Sequence, residues 1–303
     1  MVNAMDPILT PNSELRKVIE TGTRAASNLC WACGTCDNEC PINLASNRLS
    51  PRKIVRMANM GLFDELLSIP EIWYCLTCQR CLDVCPNGVK PAEVIRFIRE
   101  ESLRRQIVKW ETMQDYEKLF GRFQRVRWHA TVRCIQGELD TVTDEQWYAW
   151  LDTPVELPGT KITPKASADR TVYFRQTADS NITLCLTCSE CTNCCPIFHE
   201  RSVFDPQATI RMVNLGLTEE LLRSPSIWLC IGCGRCSRAC TQAVKAREII
   251  ARLRQMAIDG GYVSPRLPYK LKKAEKLLYP RLLDEIDACL GFSNGRLLLS
   301  DIA

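Results

Sequence analysis

Histidine is nearly absent from this 303-residue chain, with only His129 and His199 present. Two isolated imidazoles build no histidine-rich metal site, and each reads as a surface or packed residue. No run approaches the roughly 18 apolar residues that a transmembrane helix needs. No Gly-x-Gly-x-x-Gly fingerprint opens a strand–helix unit, so neither flavin nor nicotinamide binding is expected. No nucleophile-and-base pair emerges, so no catalytic residue is assigned. The opening stretch MVNAMDPILTPNSELRK holds no apolar signal core, and a cytoplasmic location is expected.

Against these absences stand nineteen cysteines. Sixteen fall into four runs of C-x2-C-x2-C-x3-C: Cys30-Cys33-Cys36-Cys40, Cys75-Cys78-Cys81-Cys85, Cys185-Cys188-Cys191-Cys195 and Cys230-Cys233-Cys236-Cys240. That run holds cubane iron–sulfur clusters. Three thiolates two residues apart wrap three corners of a cube, and the fourth lies too far along the turn, so it goes to a neighbouring cube. Reciprocal pairs are therefore expected. Cys30, Cys33 and Cys36 would act with Cys85, and Cys75, Cys78 and Cys81 with Cys40. Likewise Cys185, Cys188 and Cys191 pair with Cys240, and Cys230, Cys233 and Cys236 with Cys195. Zinc sites usually use two C-x2-C pairs with a longer spacer and no third cysteine in step. A disulfide scaffold suits a short secreted chain, whereas this one is long and has an odd cysteine count. Four [4Fe-4S] clusters are expected.

Hydrophobic residues at 46% and charged residues at 24% are ordinary for a globular chain long enough for two domains. The formal charge of +4 treats every cysteine as neutral. Sixteen thiolate ligands set against four 2+ cores turn it into −4, so basicity gives no argument for nucleic acid. Three cysteines are left over. Cys194 reads as a thiol packed near a cluster, with substitution for Cys195 the sharper alternative, and Cys134 and Cys289 read as buried small apolar residues. Trp73 and Trp228, two residues before Cys75 and Cys230, suit core packing and shielding of clusters from water alike.

An internal repeat organises the rest. All eight pairs of array cysteines are offset by 155 residues, and so are Arg56-Met57 and Arg211-Met212, Gly61-Leu62 and Gly216-Leu217, Pro70 and Pro225, and Ile72-Trp73 and Ile227-Trp228. Val89-Lys90 and Val244-Lys245, and Glu93 and Glu248, continue the match. This is duplication of a whole domain, not a short solenoid period. The spacer between arrays reads helical. Ser50 is an N-cap with Pro51 at the first helical position and Gly61 at the end, and Asp205, Pro206 and Gly216 take those roles in the copy. Ile54, Val55 and Ala58 make an apolar stripe, as do Ile210, Val213 and Leu217. Short helices are predicted over Phe63 to Ser68 and Glu219 to Ser224. Further helices open near Pro91 and Ala246, with Val94, Ile95 and Ile98 or Ile249, Ile250 and Leu253 inward. The fold class expected is mainly α, two tandem α-helical ferredoxin domains with two clusters each.

The array followed by proline, a helix containing Arg-Met, then Gly-Leu, then Ile-Trp-x-Cys and a second array resembles the C subunit of heterodisulfide reductase and related complexes. The resemblance covers roughly residues 15–105 and 170–260. It departs at Thr241, where Pro41, Pro86 and Pro196 predict proline; Cys240 is still expected to bind, with altered hydrogen bonding and potential. The resemblance implies a non-catalytic electron-transfer subunit between a flavin-bearing A-type (HdrA-like) partner and a catalytic B-type (HdrB-like) partner. That B-type partner would act on disulfide or sulfur substrates, sulfur oxidation among them. The family's B-type protein bears Cys-Cys-Gly motifs, and the single adjacent pair here, Cys194-Cys195, continues into Pro196. A second reading is the iron–sulfur subunit of a respiratory dehydrogenase that delivers electrons to a membrane quinone. A third is a zinc-stabilised scaffold.

Four segments follow: a first dicluster domain over 1–105, an aromatic helical segment and linker over 106–169, a second dicluster domain over 170–260, and a helical tail over 261–303. Trp110, Tyr116, Phe120, Phe123, Trp128, Trp147, Tyr148 and Trp150 in the middle segment suit core packing, with a partner interface the sharper alternative. Residues 152–170 hold three prolines and read as an extended linker. The tail, with Leu271, Leu277, Leu278, Leu282, Leu283 and Ile286 beside Lys272 and Lys273, reads as an amphipathic helix with a solvated charged face, and no membrane association is indicated.

Overall fold

The computed structural model describes residues 10–137, 139–155, 181–197, 200, 202–293 and 296–297. His199 and residues 156–170 of the expected linker lie outside these. The chain forms two compact units, residues 1–116 with 279–303, and residues 117–278. Each unit holds one copy of the repeat. Helices dominate both, and a two-residue antiparallel pairing, Phe292 opposite Leu297, is the sheet among the described residues.

The helix Pro51–Asn59 starts where proline at the first position needs no amide donor and the Ser50 hydroxyl accepts from Lys53 N–H. It stops where Gly61 enters the left-handed region at φ 69° and Leu62 N–H returns to the Met57 carbonyl at 3.0 Å. A Cβ on Gly61 would meet the Asn12 carbonyl oxygen at 1.8 Å, so close approach adds to the conformational demand. Asn12 itself caps the helix Ser13–Gly22 and donates its N–H to the Met60 carbonyl at 2.8 Å. The copy repeats the pattern over Pro206–Asn214, with Asp205 as N-cap, Gly216 at φ 75° and Leu217 N–H on the Met212 carbonyl at 2.9 Å.

The predicted inward stripes are buried in both copies. Ile54, Val55 and Ala58 are each 1% exposed, and Ile210, Val213 and Leu217 are likewise in the core. Helices Phe63–Ser68 and Thr218–Arg223 follow, the latter one residue earlier than predicted, and then Pro91–Arg104 and Ala246–Asp259. Val94, Ile95 and Ile98 face inward, as do Ile249, Ile250 and Leu253. Each such side chain removed from water stabilises the fold by roughly 1.5–3 kcal/mol. In the second unit, Trp128, Ile197, Val203, Phe204, Leu229 and Ile250 form one cluster.

The middle segment is a long helix, Trp110–Gln136, followed by Asp144–Asp152, which a Thr143–Gln146 capping box opens. Tyr116, Phe120, Phe123, Trp128 and Trp147 are buried, while Trp110 and Tyr148 are exposed. The tail is the helix Leu267–Leu290, with Leu278, Leu282, Leu283 and Ile286 buried and Lys272 and Lys273 exposed. No helix among the described residues is long and apolar enough to cross a membrane.

One bond that ties each first array to the following helix exchanges its partners between copies. In the first half the buried Asp37 carboxylate accepts from the Ser50 hydroxyl at 2.9 Å and from Arg52 N–H at 3.0 Å. In the second, position 192 is the hydroxyl and position 205 the carboxylate: Thr192 Oγ1 donates to Asp205 at 2.5 Å, and Asp205 accepts from Gln207 N–H at 2.8 Å. A buried donor left without its acceptor costs about 1–3 kcal/mol. Asp37→Thr should therefore lower the thermal midpoint of the cluster-loaded protein, and adding Ser50→Asp should recover most of the loss. Equal midpoints for the single and double variants would show that the exchange does not carry the tie.

Candidate metal centres

Each array folds by the same backbone device. The second cysteine is flanked on both sides by residues in the left-handed region: Ala32 and Gly34, Thr77 and Gln79, Thr187 and Ser189, Gly232 and Gly234. Five of these eight are not glycine, and Thr77 and Thr187, at φ 53°, are β-branched. Such conformations cost on the order of 1–3 kcal/mol each and persist where surrounding structure dictates them. The second left-handed residue then opens a short helix that carries the third cysteine, as Gly34 does for Thr35–Glu39 and Gln79 for Arg80–Asp83. The fourth cysteine lies beyond the helix end; Cys40 is already extended, at φ −75°, ψ 117°. Backbone amides point at the first thiol of the second arrays, with Thr77 N–H 3.4 Å from Cys75 Sγ and Gly232 N–H 3.3 Å from Cys230 Sγ.

The thiols group across arrays. Cys30, Cys33, Cys36 and Cys85 line one hollow, partly open to solvent. Cys185, Cys188, Cys191 and Cys240 line its counterpart. Cys40 stands close enough to Cys75, Cys78 and Cys81 to act on them electrostatically, and Cys195 does so with Cys230, Cys233 and Cys236. The two groups differ in depth most clearly in the first half; in the second, Cys236 is buried while Cys195, Cys230 and Cys233 are half-buried. Cys40, Cys75, Cys78 and Cys81 are all buried, whereas Cys33 and Cys188 are exposed, beside exposed Trp31 and Leu186.

Burial governs the thiol chemistry. It pushes the Cys36, Cys40 and Cys236 thiols up to about 12 and Cys191 to about 11, and raises Cys81 and Cys195 as well. The Thr35 hydroxyl, 3.3 Å from Cys33 Sγ, lowers that exposed thiol instead. Buried thiols of this kind ionise when a bound metal supplies the compensating charge. The donor set fits an iron–sulfur cube: soft thiolates arranged around hollows. No three such donors among the described residues converge as a single ion, about 2.3 Å from each sulfur, would require. Each half also buries an indole donor without a protein partner, Trp73 Nε1 and Trp228 Nε1, which a cluster sulfur could satisfy.

Two residues carried by the repeat went unremarked in the cysteine pattern. Arg99 donates through Nε to the Ile72 carbonyl at 2.6 Å and through Nη2 to the Cys75 carbonyl at 2.7 Å. Arg254 makes the same pair of bonds, to Ile227 at 2.8 Å and Cys230 at 2.5 Å. Each guanidinium also lies 5.5 Å from the centre of an indole, Trp73 or Trp228. The 155-residue offset marks this pair as clearly as it marks the cysteines.

The remaining candidates separate. Thr241 lines the second hollow where Pro86 lines the first. Cys194 lies within electrostatic reach of Cys191, Cys233 and Cys236, and its thiol donates to the Cys191 carbonyl at 3.4 Å. Cys134 is buried, and its thiol lies 4.0 Å from the Lys270 carbonyl; Cys289 is half-buried, near Asp115 and Glu285. His129 stacks on Trp150, with Nε2 3.5 Å from the Thr153 carbonyl, and burial lowers its pKa.

A family model described as the 4Fe-4S dicluster domain matches residues 26–89 and again residues 181–244. Over 96 residues the chain is 36% identical to the C subunit of the H(2):CoB-CoM heterodisulfide,ferredoxin reductase of Methanothermobacter thermautotrophicus, a match that covers 31% of this chain and 50% of that protein. It is 40% identical over 70 residues to an iron–sulfur C subunit, the one numbered 2, of the CoB–CoM heterodisulfide reductase of Methanocaldococcus jannaschii, covering 23% of this chain and 37% of the relative. The chain spans about half the length of the first of these relatives and less of the second. With two dicluster domains and four [4Fe-4S] clusters, the chain is a tandem iron–sulfur protein similar to the C subunits of heterodisulfide reductases.

Proposed function

We propose that the chain is an electron-transfer subunit of a heterodisulfide reductase-like complex, placed between an A-type flavoprotein and a B-type subunit that acts on a disulfide or other sulfur substrate. The observation that carries this reading is the grouping of the thiols, in each half, into two sets of four drawn from both arrays, one of which reaches the surface through Cys33 or Cys188. We assign the ligands accordingly. Cys30, Cys33, Cys36 and Cys85 hold the outer site of the first half, and Cys75, Cys78, Cys81 and Cys40 its inner site. Cys185, Cys188, Cys191 and Cys240, with Cys230, Cys233, Cys236 and Cys195, repeat that arrangement. When bound, each [4Fe-4S] cluster supplies one-electron oxidation and reduction.

The chain's own residues hold, shield and expose these sites. The core around Trp73 excludes water from the buried inner group of the first half, which keeps the local dielectric low there. Cys33 and Cys188 leave the outer groups at the surface, where a partner's cofactor can approach. Exposed apolar side chains flank each outer group at equivalent positions, Leu29 and Trp31 in the first half and Leu184 and Leu186 in the second. Exposed large apolar residues beside a functional site are a feature of docking surfaces. The named relatives are subunits of heterodisulfide reductases, which supports partners of that kind.

Cross-sharing gives a direct test by anaerobic iron analysis and EPR. Cys81→Ser and Cys40→Ser should each lower iron from sixteen to about twelve atoms per chain and remove the same spectral component. Cys85→Ser should remove a different one. Loss of different components in the Cys81 and Cys40 variants would overturn the ligand sets.

The partner assignment is tested by anaerobic isolation of the tagged chain with its native companions. A flavoprotein and a protein bearing Cys-Cys-Gly motifs should accompany it. A membrane cytochrome in their place would replace this reading with quinone reduction.

A further inference from the structure

The inner thiol groups of the two halves sit in frames that share one pair of arginine bonds but differ in charge. In both, the segment that leads into the first thiol presents backbone carbonyls to side chains of neighbouring helices. Arg99 takes two of these in the first half and Arg254 the equivalent two in the second. Among the described residues no carboxylate is within ion-pair distance of either guanidinium, and both guanidinia donate to backbone carbonyls, Arg99 also interacting with the Tyr116 hydroxyl.

One further carbonyl of each segment is also bonded, at neighbouring rather than equivalent positions, Trp73 in the first and Leu229, the match of Tyr74, in the second. In the first half the Tyr116 hydroxyl donates to the Trp73 carbonyl at 2.6 Å. Tyr116 is 5% exposed, and burial pushes its phenol up to about 12, so this donor is neutral. In the second half Arg127, 7% exposed, donates through Nη2 to the Leu229 carbonyl at 2.8 Å, and its other terminal nitrogen meets neutral Gln124 at 2.9 Å. One guanidinium therefore stands on the first segment and two on the second.

Other charges nearby reinforce or soften this difference. Tyr74, beside Cys75, donates its hydroxyl to Asp287 at 2.6 Å, and Arg48 binds both Asp287 and Asp284, so that network brings one cation and two carboxylates. The equivalent positions in the second half, Val203 and Leu229, are apolar and buried. Glu275 lies within electrostatic range of Arg254, without a hydrogen bond to it, and offsets part of that charge.

We propose that these guanidinia set the redox potentials of the two inner sites apart. Arg99 alone bonds the segment entering the first inner site, and Arg127 and Arg254 together bond that entering the second. There Arg238, in place of Asp83 of the first half, also donates to the Cys233 carbonyl at 3.3 Å. The site of Cys230, Cys233, Cys236 and Cys195 is the more readily reduced. The inference rests on the ligand sets proposed above. Reduction adds one electron and no proton, changing a cluster with four thiolates from a net charge of −2 to −3 while no bond forms or breaks. A fixed cation at short range in a poorly hydrated site favours the more negative state. Arg127 and Arg254 act through the peptide that carries Cys230, and they are positioning residues.

The test is an anaerobic, dye-mediated potentiometric titration of the full cluster-loaded chain, with dithionite as electron donor and EPR as readout. Cys81→Ser and Cys236→Ser first identify the two inner components by their loss. The component lost with Cys236 should titrate at the higher potential. Arg127→Gln should keep sixteen irons and lower that component alone, by about tenfold in its reduced-to-oxidised ratio, or 59 mV for one electron. Arg127→Lys, which keeps the charge but not the planar fork, should stay near the parent value. Equal shifts in the Gln and Lys variants would show that packing, not charge, acts. An unmoved potential with iron intact, or the reverse order of the two inner components, would also overturn the proposal. If Cys236→Ser removes no component, the ligand assignment fails first, a result distinct from any of these.

Discussion

Cys85 reaches the hollow formed by Cys30, Cys33 and Cys36, and Cys40 reaches forward to the group of Cys75, Cys78 and Cys81, between arrays offset by 45 residues of chain. This exchange of fourth thiols is the constraint that the rest of each half answers. It requires two loops far apart in sequence to lie face to face, and the helices between them supply that placement. Pro51–Asn59 packs inward through Ile54 and Val55, and Pro91–Arg104 through Val94, Ile95 and Ile98. Neither loop is held by sheet pairing, so small errors in helix termination would separate the thiols. Gly61 and Gly216 make the termination sharp, and Asn59 and Asn214 reinforce it by donating to the carbonyls of Ser27 and Ile182, just ahead of the first arrays.

Much of this was legible in the sequence because it rests on local chemistry. Ser50-Pro51 and Asp205-Pro206 announce helix starts through hydrogen bonds made within one turn, and they appear where expected. The cysteine spacing announces the loops for the same reason. What escaped depends on partners distant in sequence. Arg99 and Arg254 look like ordinary helical arginines until their carbonyl partners, 24 to 27 residues away, are known. The Asp37–Ser50 and Thr192–Asp205 bonds were hidden more deeply, because the residues change identity at both positions while the bond survives. The left-handed residues Ala32, Thr77 and Thr187 carry no sequence signal at all, since the conformation is imposed on them by the loop. In the middle segment the apolar pattern pointed to a core, as Tyr116, Phe123 and Trp147 bear out, yet Trp110 and Tyr148 face solvent.

Comparison of the halves separates what the frame requires from what it tolerates. Cysteines, left-handed flanks, helix ends and the arginine clamp recur at the same offset. Side chains that only modulate the sites do not recur. Arg52 lines the first hollow and pairs with Asp37 at 3.1 Å, whereas its counterpart lining the second is the uncharged Gln207. Trp31 becomes Leu186 at the exposed rim, and Thr35 becomes Glu190. Tyr74 with its Arg48–Asp287 network gives way to Leu229 in an apolar cluster.

This pattern has a physical reason. A change in a thiol or a loop conformation removes a whole site, because a cluster short of a ligand or a backbone turn is not held. A change in a neighbouring charge leaves the site in place and alters its field by an amount that falls off smoothly with distance. Once a dicluster domain is duplicated, charges around the frame are therefore free to diverge while the frame is not. Arg127 illustrates the consequence. It belongs to neither copy of the repeat but to the helix Trp110–Gln136 between them, and it brings a second guanidinium to the Leu229 carbonyl of the second half. The segment outside the duplication thus supplies an asymmetry that the duplication itself could not contain.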